Sequence, residues 1–309
     1  MANFPYRNLV FEGGGVKGLA YAGAVDVLDQ AGISSQIERV GGASAGAITA
    51  TLVSLGYTGA EVTQTFMNMD FTKFEDGGLL GPERLLREYG WYKGDYFLNF
   101  IEEQIEGKTG NPRSTFAEVK RPDFKDLYVV GTELTQQLSV VFSHESTPDM
   151  AIADAVRISM SIPLFFAARE IGDNVFCDGG VLNNYPITLF DQQRYLSDSN
   201  GDSDEGLEPD EGITNPETLG FHLDNLSHPP VNTINDLFRF VDEVYEAIIN
   251  IQRDLLMSNP DDVKRSVFID NLGIKTTDFK LTRAQKLALI KSGKDATEKY
   301  LFANGSIEG

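Results

Sequence analysis

The 309-residue chain carries 46 Asp and Glu against 26 Lys and Arg, a net charge of −20, which repels nucleic acid and opposes general attraction to anionic membranes, so any lipid contact must be local. Hydrophobic residues at 41% and aromatics at 10% exclude a disordered chain and suffice for one large domain or two ordinary ones. A single cysteine, Cys177, excludes an intramolecular disulfide framework and fits a reducing compartment.

The N-terminus, MANFPYRNLVFEGGG, enters a strand-like run with no long apolar core and no small-residue cleavage site, so no secretory signal is expected. Nor is there a stretch of about 18 apolar residues to span a bilayer. Residues 9–11 read as a short buried strand, followed by a glycine loop at 13–18 and a helix over 19–31 that Gly32 can close. A second strand at 39–40 runs into a tight turn around Ser44, and 45–55 reads as a helix stopped by Gly56. Two short strands that each feed a helix predict parallel pairing. The expected fold is α/β, a mostly parallel central sheet sandwiched between helices, with ligands beyond the carboxyl ends of the strands.

Further along, helices are expected at 60–69, 95–106, 150–160, 234–256 and 283–302, and strands at 127–134, 138–143, 175–177, 219–223 and 267–270. Residues 67–91 mix Phe71, Phe74, Leu79, Leu80 and Trp91 with glycines and charges in no clean period. That segment reads either as a lid or lipid-touching surface, or as an excursion burying its own apolar residues. Residues 197–216 carry seven acidic residues and no basic one, the composition of a solvated loop. Asn200, Asp202, Asp204 and Glu211 fall at EF-hand positions 1, 3, 5 and 12, but Glu205 stands where that loop needs glycine, which argues against calcium.

Two motifs carry chemistry. Gly42-x-Ser44-x-Gly46 is the pattern of a serine on a sharp strand-to-helix turn, its hydroxyl projecting into a site. Gly13-Gly14-Gly15-Val16-Lys17-Gly18 satisfies a dinucleotide-binding pattern, yet the next strand ends in Gly41-Gly42-Ala43-Ser44 instead of the acidic residue that would hold a ribose. Its amides at a helix start can instead stabilise an oxyanion, joined by the N–H of Ala45. Lys17 reads as a phosphate-attracting or simply exposed side chain.

A serine nucleophile needs a base. Of the three histidines, His222 lies inside a strand-like run, His144 follows one and His228 precedes two prolines; none stands out. Asp178, at the end of the apolar Val175-Phe176-Cys177 run and before Gly179 and Gly180, is the other candidate, provided that burial raises its pKa.

With these residues the chain resembles the patatin-like phospholipases. The match is carried by Gly13 to Gly18, by Gly42-Ala43-Ser44-Ala45-Gly46 and by Asp178-Gly179-Gly180, with support from ISMSIPLFF at 158–166 and Asn183-Asn184-Tyr185-Pro186, and it spans about residues 9–191. The resemblance implies a three-layer α/β/α fold and a Ser44–Asp178 dyad without a catalytic histidine. Gly13, Gly14, Gly15 and Ala45 would form the oxyanion hole, and no metal or organic cofactor is implied. Lys17, where many members carry arginine, puts head-group preference in question. The expected activity is phospholipase A-type hydrolysis of glycerolipid acyl esters through an acyl-enzyme, at a membrane or micelle surface and with no nucleic-acid partner. Rival readings are an acyltransferase with the same dyad and a non-catalytic phosphate- or nucleotide-binding module. A single domain is expected over 1–309, with an acidic loop and helices of 192–309 packed on the core. The expected location is the cytoplasm, with peripheral membrane contact; export without a cleaved signal stays open.

Overall fold

The apolar run Leu9-Val10-Phe11 sits third from one edge of an eight-stranded sheet in the computed structural model, which describes residues 4–197, 210, 212–225 and 233–305. The first half of the chain is β1 (Asn8–Phe11), α1 (Ala20–Gln30), β2 (Arg39–Ala43), α2 (Ala45–Ser54), α3 (Gly59–Asn68), α4 (Gly81–Arg87), β3 (Gly90–Tyr92), α5 (Asp95–Thr109) and α6 (Phe116–Val119). The middle holds β4 (Asp126–Glu133), β5 (Leu138–Phe142), α7 (Ile152–Ser159), β6 (Leu164–Phe166), β7 (Arg169–Ile171), β8 (Asn174–Asp178) and α8 (Gly180–Asn183). The remainder supplies β9 (Thr218–Asp224), α9 (Leu237–Met257), α10 (Pro260–Lys264), β10 (Ser266–Asp270) and α11 (Arg283–Gly305).

The sheet runs β10-β9-β1-β2-β4-β8-β7, with β5 also on β4. Its first five strands are parallel, while β5, β7 and β8 are antiparallel. The central strands are buried on both faces, which is why β1 reads as an unbroken apolar run and not an alternating one. Leu9 and Phe11 point into the main core with α1 and α2, and Val10 points the opposite way, to Ile187, Leu189, Phe190 and Tyr195. The second face is thus covered largely by 3₁₀ turns over 187–195 and by Leu256 at the end of α9.

The segment after 191 does more than pack helices, since β9 and β10 extend the parallel sheet beside β1. A buried ion cluster ties it down: Arg265 meets Asp191 at 2.5 Å and Asp262 at 2.6 Å. Three short strands escape the sequence pattern: β3, β6 and β7. Each has three residues, and β3 and β6 exist only through pairing with each other across about 70 residues of chain, which no local period encodes. The 67–91 segment buries part of its apolar set and leaves part in the open. Phe71 and Phe74 are buried, Phe74 against Phe97 and Phe279, whereas Leu79 is 98% exposed and Leu80 lies beside it in the open. His228 and the tested calcium positions Asn200, Asp202, Asp204 and Glu211 lie outside the described residues. Among the described residues no helix is long and apolar enough to cross a membrane.

The ion cluster gives a direct test of how the C-terminal segment is held. Arg265→Met leaves Asp191 and Asp262 buried without a counter-charge and is expected to cost about 3–5 kcal/mol of unfolding free energy, read by chemical denaturation at neutral pH.

Candidate active site

β4 offers one edge to two strands in succession. β2 pairs with Asp126 to Val130, ending with Ala43 opposite Val130, and antiparallel β8 pairs with Gly131 to Glu133, ending with Asp178 opposite Gly131. β5 occupies the other edge over Val129 to Glu133, so β2 and β8 meet head-on along the same side of β4. Ser44, the next residue after β2, and Asp178, the last of β8, therefore face each other. Ser44 lies at the carboxyl edge of the parallel strands, where ligands are expected, and Asp178 arrives from the opposite direction on antiparallel β8.

At this junction Ser44 adopts φ 51° and ψ −124°, a positive-φ conformation that a non-glycine residue holds only when its surroundings enforce it. Gly42 and Gly46 permit the turn, because a Cβ on Gly42 would stand 2.5 Å from the Gly46 carbonyl carbon. The Ser44 N–H donates to Ser159 Oγ at 2.8 Å, and Ser159 in turn donates to Val130 O at 2.6 Å, bridging the gap where the two strands fail to meet. The Ser44 hydroxyl donates to Asp178 Oδ2 at 2.8 Å. Both side chains are buried, Ser44 at 1% and Asp178 at 0% exposure.

Among the described residues Asp178 has no cationic partner. Its Oδ1 accepts from the Gly180 N–H at 2.7 Å and from the Tyr245 hydroxyl at 2.9 Å. Burial pushes its pKa up to about 7, and the hydrogen bonds from Gly180, Ser44 and Tyr245 hold it from rising further. A carboxylate that titrates there can accept a hydroxyl proton at neutral pH, which an ordinary aspartate does poorly.

The glycine loop lies against this pair. A Cβ on Gly13 would sit 2.3 Å from Asn184 Oδ1 and 3.0 Å from Ser44 Cβ, so only glycine lets the loop approach this closely. The Gly13 N–H, expected among the oxyanion donors, is instead committed to Asn184 O at 2.9 Å. Among the described residues the N–H groups of Gly14, Gly15 and Ala45 have no acceptor, which leaves them for a developing negative charge. Gly18 lies in the following 3₁₀ turn facing Ala45, and Gly179 passes beside Val130 O. Lys17 is neither exposed nor free: it is 6% exposed and paired with Glu246 of α9 at 3.1 Å.

Further residues complete the site. Asn184 donates through Nδ2 to Glu12 at 2.9 Å and through its N–H to Gln252 at 2.7 Å, while Gln252 donates to Gly180 O at 2.9 Å. Glu12, buried at the end of β1, has its pKa raised by burial to about 8 and accepts from the Leu223 N–H at 2.6 Å. Tyr245 and Gln252 lie seven residues apart on one helix face, a spacing visible in the sequence. What the sequence lacks is any sign that this face crosses the ends of β2 and β8. Neither described histidine hydrogen-bonds to Ser44 or Asp178, although His222 Nε2 lies 3.5 Å from Glu12. His222 is packed in β9 between Tyr185 and Phe268, its pKa lowered by burial to about 4, and His144 lies 3.8 Å from Glu145 beside Tyr128. Among the described residues no group of three or more His, Cys, Asp and Glu side chains is arranged to hold a metal ion.

Comparisons with known proteins bear on the fold and the family. An uncharacterized protein of Bacillus subtilis, YqhO, is 30% identical over 96% of this chain and 98% of its own length. A probable lipid hydrolase of Invertebrate iridescent virus 6 is 30% identical over 60% of this chain, a match spanning 63% of that protein. Among solved structures, VipD from Legionella pneumophila superposes with a TM-score of 0.63 over 98% of this chain and 68% of its own, at 19% identity. The type III effector ExoU gives 0.52 over 99% and 54%, at 20% identity; at such identities these two speak to the fold alone. The family model described as patatin-like phospholipase matches residues 9–191, the stretch holding β1, the Ser44 turn, Asp178 and Asn184, and the chain therefore belongs to the patatin-like phospholipase family.

Proposed function

We propose that the chain is a serine lipid acyl hydrolase of phospholipase A type, cleaving fatty acyl esters of glycerolipids with Ser44 as nucleophile and Asp178 as base. The observation that carries this reading is the 2.8 Å contact between Ser44 Oγ and an aspartate whose pKa is raised to about 7. Asp178 takes the hydroxyl proton as Ser44 Oγ attacks the ester carbonyl. The oxyanion that forms lies against the free N–H groups of Gly14, Gly15 and Ala45, each donor of this kind contributing about 3–4 kcal/mol to the transition state. As the ester C–O bond breaks, Asp178 returns the proton to the leaving alkoxide, and the acyl group remains on Ser44. Water then attacks the acyl carbonyl, again giving its proton to Asp178, and the fatty acid leaves with Ser44 regenerated.

A lipid aggregate as the substrate source is supported by the outer face of α9. Leu237, Phe240, Val244, Ile251 and Leu255 are all exposed and recur at spacings of 3, 4, 7 and 4 along one side of the helix. The inner side of the same helix reaches Asp178. Asp254 is exposed next to Leu255 on a chain of net charge −20, which suits neutral or zwitterionic surfaces over anionic ones. The strands β9 and β10 and the α9 contacts support a single catalytic unit over the whole chain.

A fluorophosphonate probe is expected to label Ser44 on the intact protein, and Ser44→Ala to lose both label and hydrolysis. Asp178→Asn should lower turnover of a p-nitrophenyl ester by about 100-fold or more, while His144→Gln stays within a few-fold of the parent. The same Asp178→Asn protein should be more stable than the parent at pH 8. The raised carboxyl binds a proton in the native state that the unfolded chain releases above its ordinary pKa of 3.8, so the parent loses stability as pH rises from about 4 through 7. Near pH 4 the difference should vanish, as read from denaturation midpoints. Retained hydrolysis in Asp178→Asn, or no adduct on folded parent protein, overturns the reading.

A further inference from the structure

Asp178 has a side-chain partner in a part of the chain that lies beyond the family match, which ends at residue 191. We infer that Tyr245 of α9 is a positioning residue for the reaction: its hydroxyl fixes the Asp178 carboxylate with Oδ2 toward Ser44 and favours the form that accepts the proton. The inference rests on the Ser44–Asp178 reading above.

A carboxylate at a strand end can rotate, and it serves as base only in the orientation that aims an oxygen at the serine. Here the two oxygens are divided. Oδ2 receives the Ser44 hydroxyl, and Oδ1 receives Gly180 N–H and Tyr245 OH. Of the donors on Oδ1, the first belongs to the backbone, so Tyr245 is the side-chain donor that sets the orientation. Its ring is buried, and burial keeps its hydroxyl protonated far into alkaline pH, so it acts as a donor throughout the working range. Close approach is built in on both sides. A Cβ on Gly180 would stand 2.1 Å from the Tyr245 oxygen, so the second glycine after the aspartate makes room for this hydroxyl.

The helix that carries Tyr245 is registered to the rest of the site by its neighbours. Glu246, the next residue, pairs with Lys17 of the glycine loop and accepts from Thr276 at 2.5 Å. Gln252 joins Asn184 N–H and Gly180 O. Consecutive residues of one helix thus address the base and the loop that faces the oxyanion.

The charge around Asp178 is simple enough for a pH profile to report on it. Cys177, its chain neighbour, is pushed up to about 12 by burial and stays a thiol, and Glu246 is held below its ordinary value by Lys17. Glu12, at about 8, has a titration that overlaps, and it contacts Asn184 rather than Asp178; Asp242, one turn before Tyr245 on α9, is also raised by burial and is hydrogen-bonded to Thr277.

The test is Tyr245→Phe, which keeps the ring and deletes the donor. Removing a hydrogen bond to a carboxylate raises its pKa, so the acid limb of kcat/KM for a soluble p-nitrophenyl ester should move up by about one pH unit or more. Activity should fall by about 10-fold at pH 6 and approach the parent at pH 9, as one pH unit of displacement is a factor of ~10 on the acid limb, and the rate of fluorophosphonate labelling at Ser44 should follow the same displaced limb. A parallel pair in the Glu12→Gln background should keep the displacement, which assigns it to Asp178. If Tyr245→Phe leaves the limb in place, or only lowers activity uniformly alongside a lower melting temperature, the positioning role is overturned while the dyad stands. If Asp178→Asn hydrolyses ester with an unchanged limb, the dyad itself falls, and this inference with it.

Discussion

The edge of β4 is the constraint on which the site depends. A strand edge offers one ladder of N–H and C=O groups, and here two partners divide it, β2 up to Val130 and β8 from Gly131 onward. Because they run in opposite directions, their carboxyl ends abut, and each supplies one side chain at the break. The ladder cannot continue across such a junction, and unpaired buried backbone groups are costly. Ser159 answers that demand by donating to Val130 O and accepting from Ser44 N–H, and the Asp178 N–H finds Ser161 O at 2.9 Å. The end of α7 is thus a structural plug and a support for the serine turn at once.

Burying an aspartate without a cation is unfavourable, and the fold makes that penalty useful. An arginine in the place of Tyr245 would relieve it and drive the pKa well below neutrality, leaving a weak base. Three neutral donors do less: they hold the carboxyl in place and stop its pKa near 7. Charges that could interfere are paired away from Asp178, Lys17 with Glu246 and Arg253 with Asp224 at 2.9 Å. Glu12, on the far side of Asn184, is likewise a buried carboxyl raised to about 8, held from rising further by the Leu223 N–H, the nearby Lys17 charge and Asn184.

Much of this was legible in the sequence because its signals are local. The apolar run before each glycine turn fixes β1 and β2, and Gly42, Ser44 and Gly46 mark a turn whose geometry only small residues allow. The fate of Lys17 and Gly13 was not legible. Both depend on partners far along the chain, Glu246 and Asn184, and a composition pattern cannot say that a lysine near a helix start will be buried against a helix more than two hundred residues away. Asp178 shows the boundary between the two. The Asp-Gly-Gly motif marks it, but the strand that carries it runs against the direction that parallel logic supplies.

The residues beyond 191 bear most directly on how the site works. The motif-bearing stretch supplies serine, aspartate and loop, yet within it the aspartate has only a backbone donor on Oδ1 and Lys17 lacks its counter-ion. Both deficits are met by neighbouring residues of α9, Tyr245 and Glu246. A helix held by its polar inner face to the base and the glycine loop, and carrying exposed leucine, isoleucine and phenylalanine along its outer face, cannot shift without disturbing both. Displacing α9 would remove a donor from Asp178 and leave Lys17 without Glu246 in one movement. The orientation of the Asp178 carboxylate and the pairing of Lys17 are therefore set by the same helix.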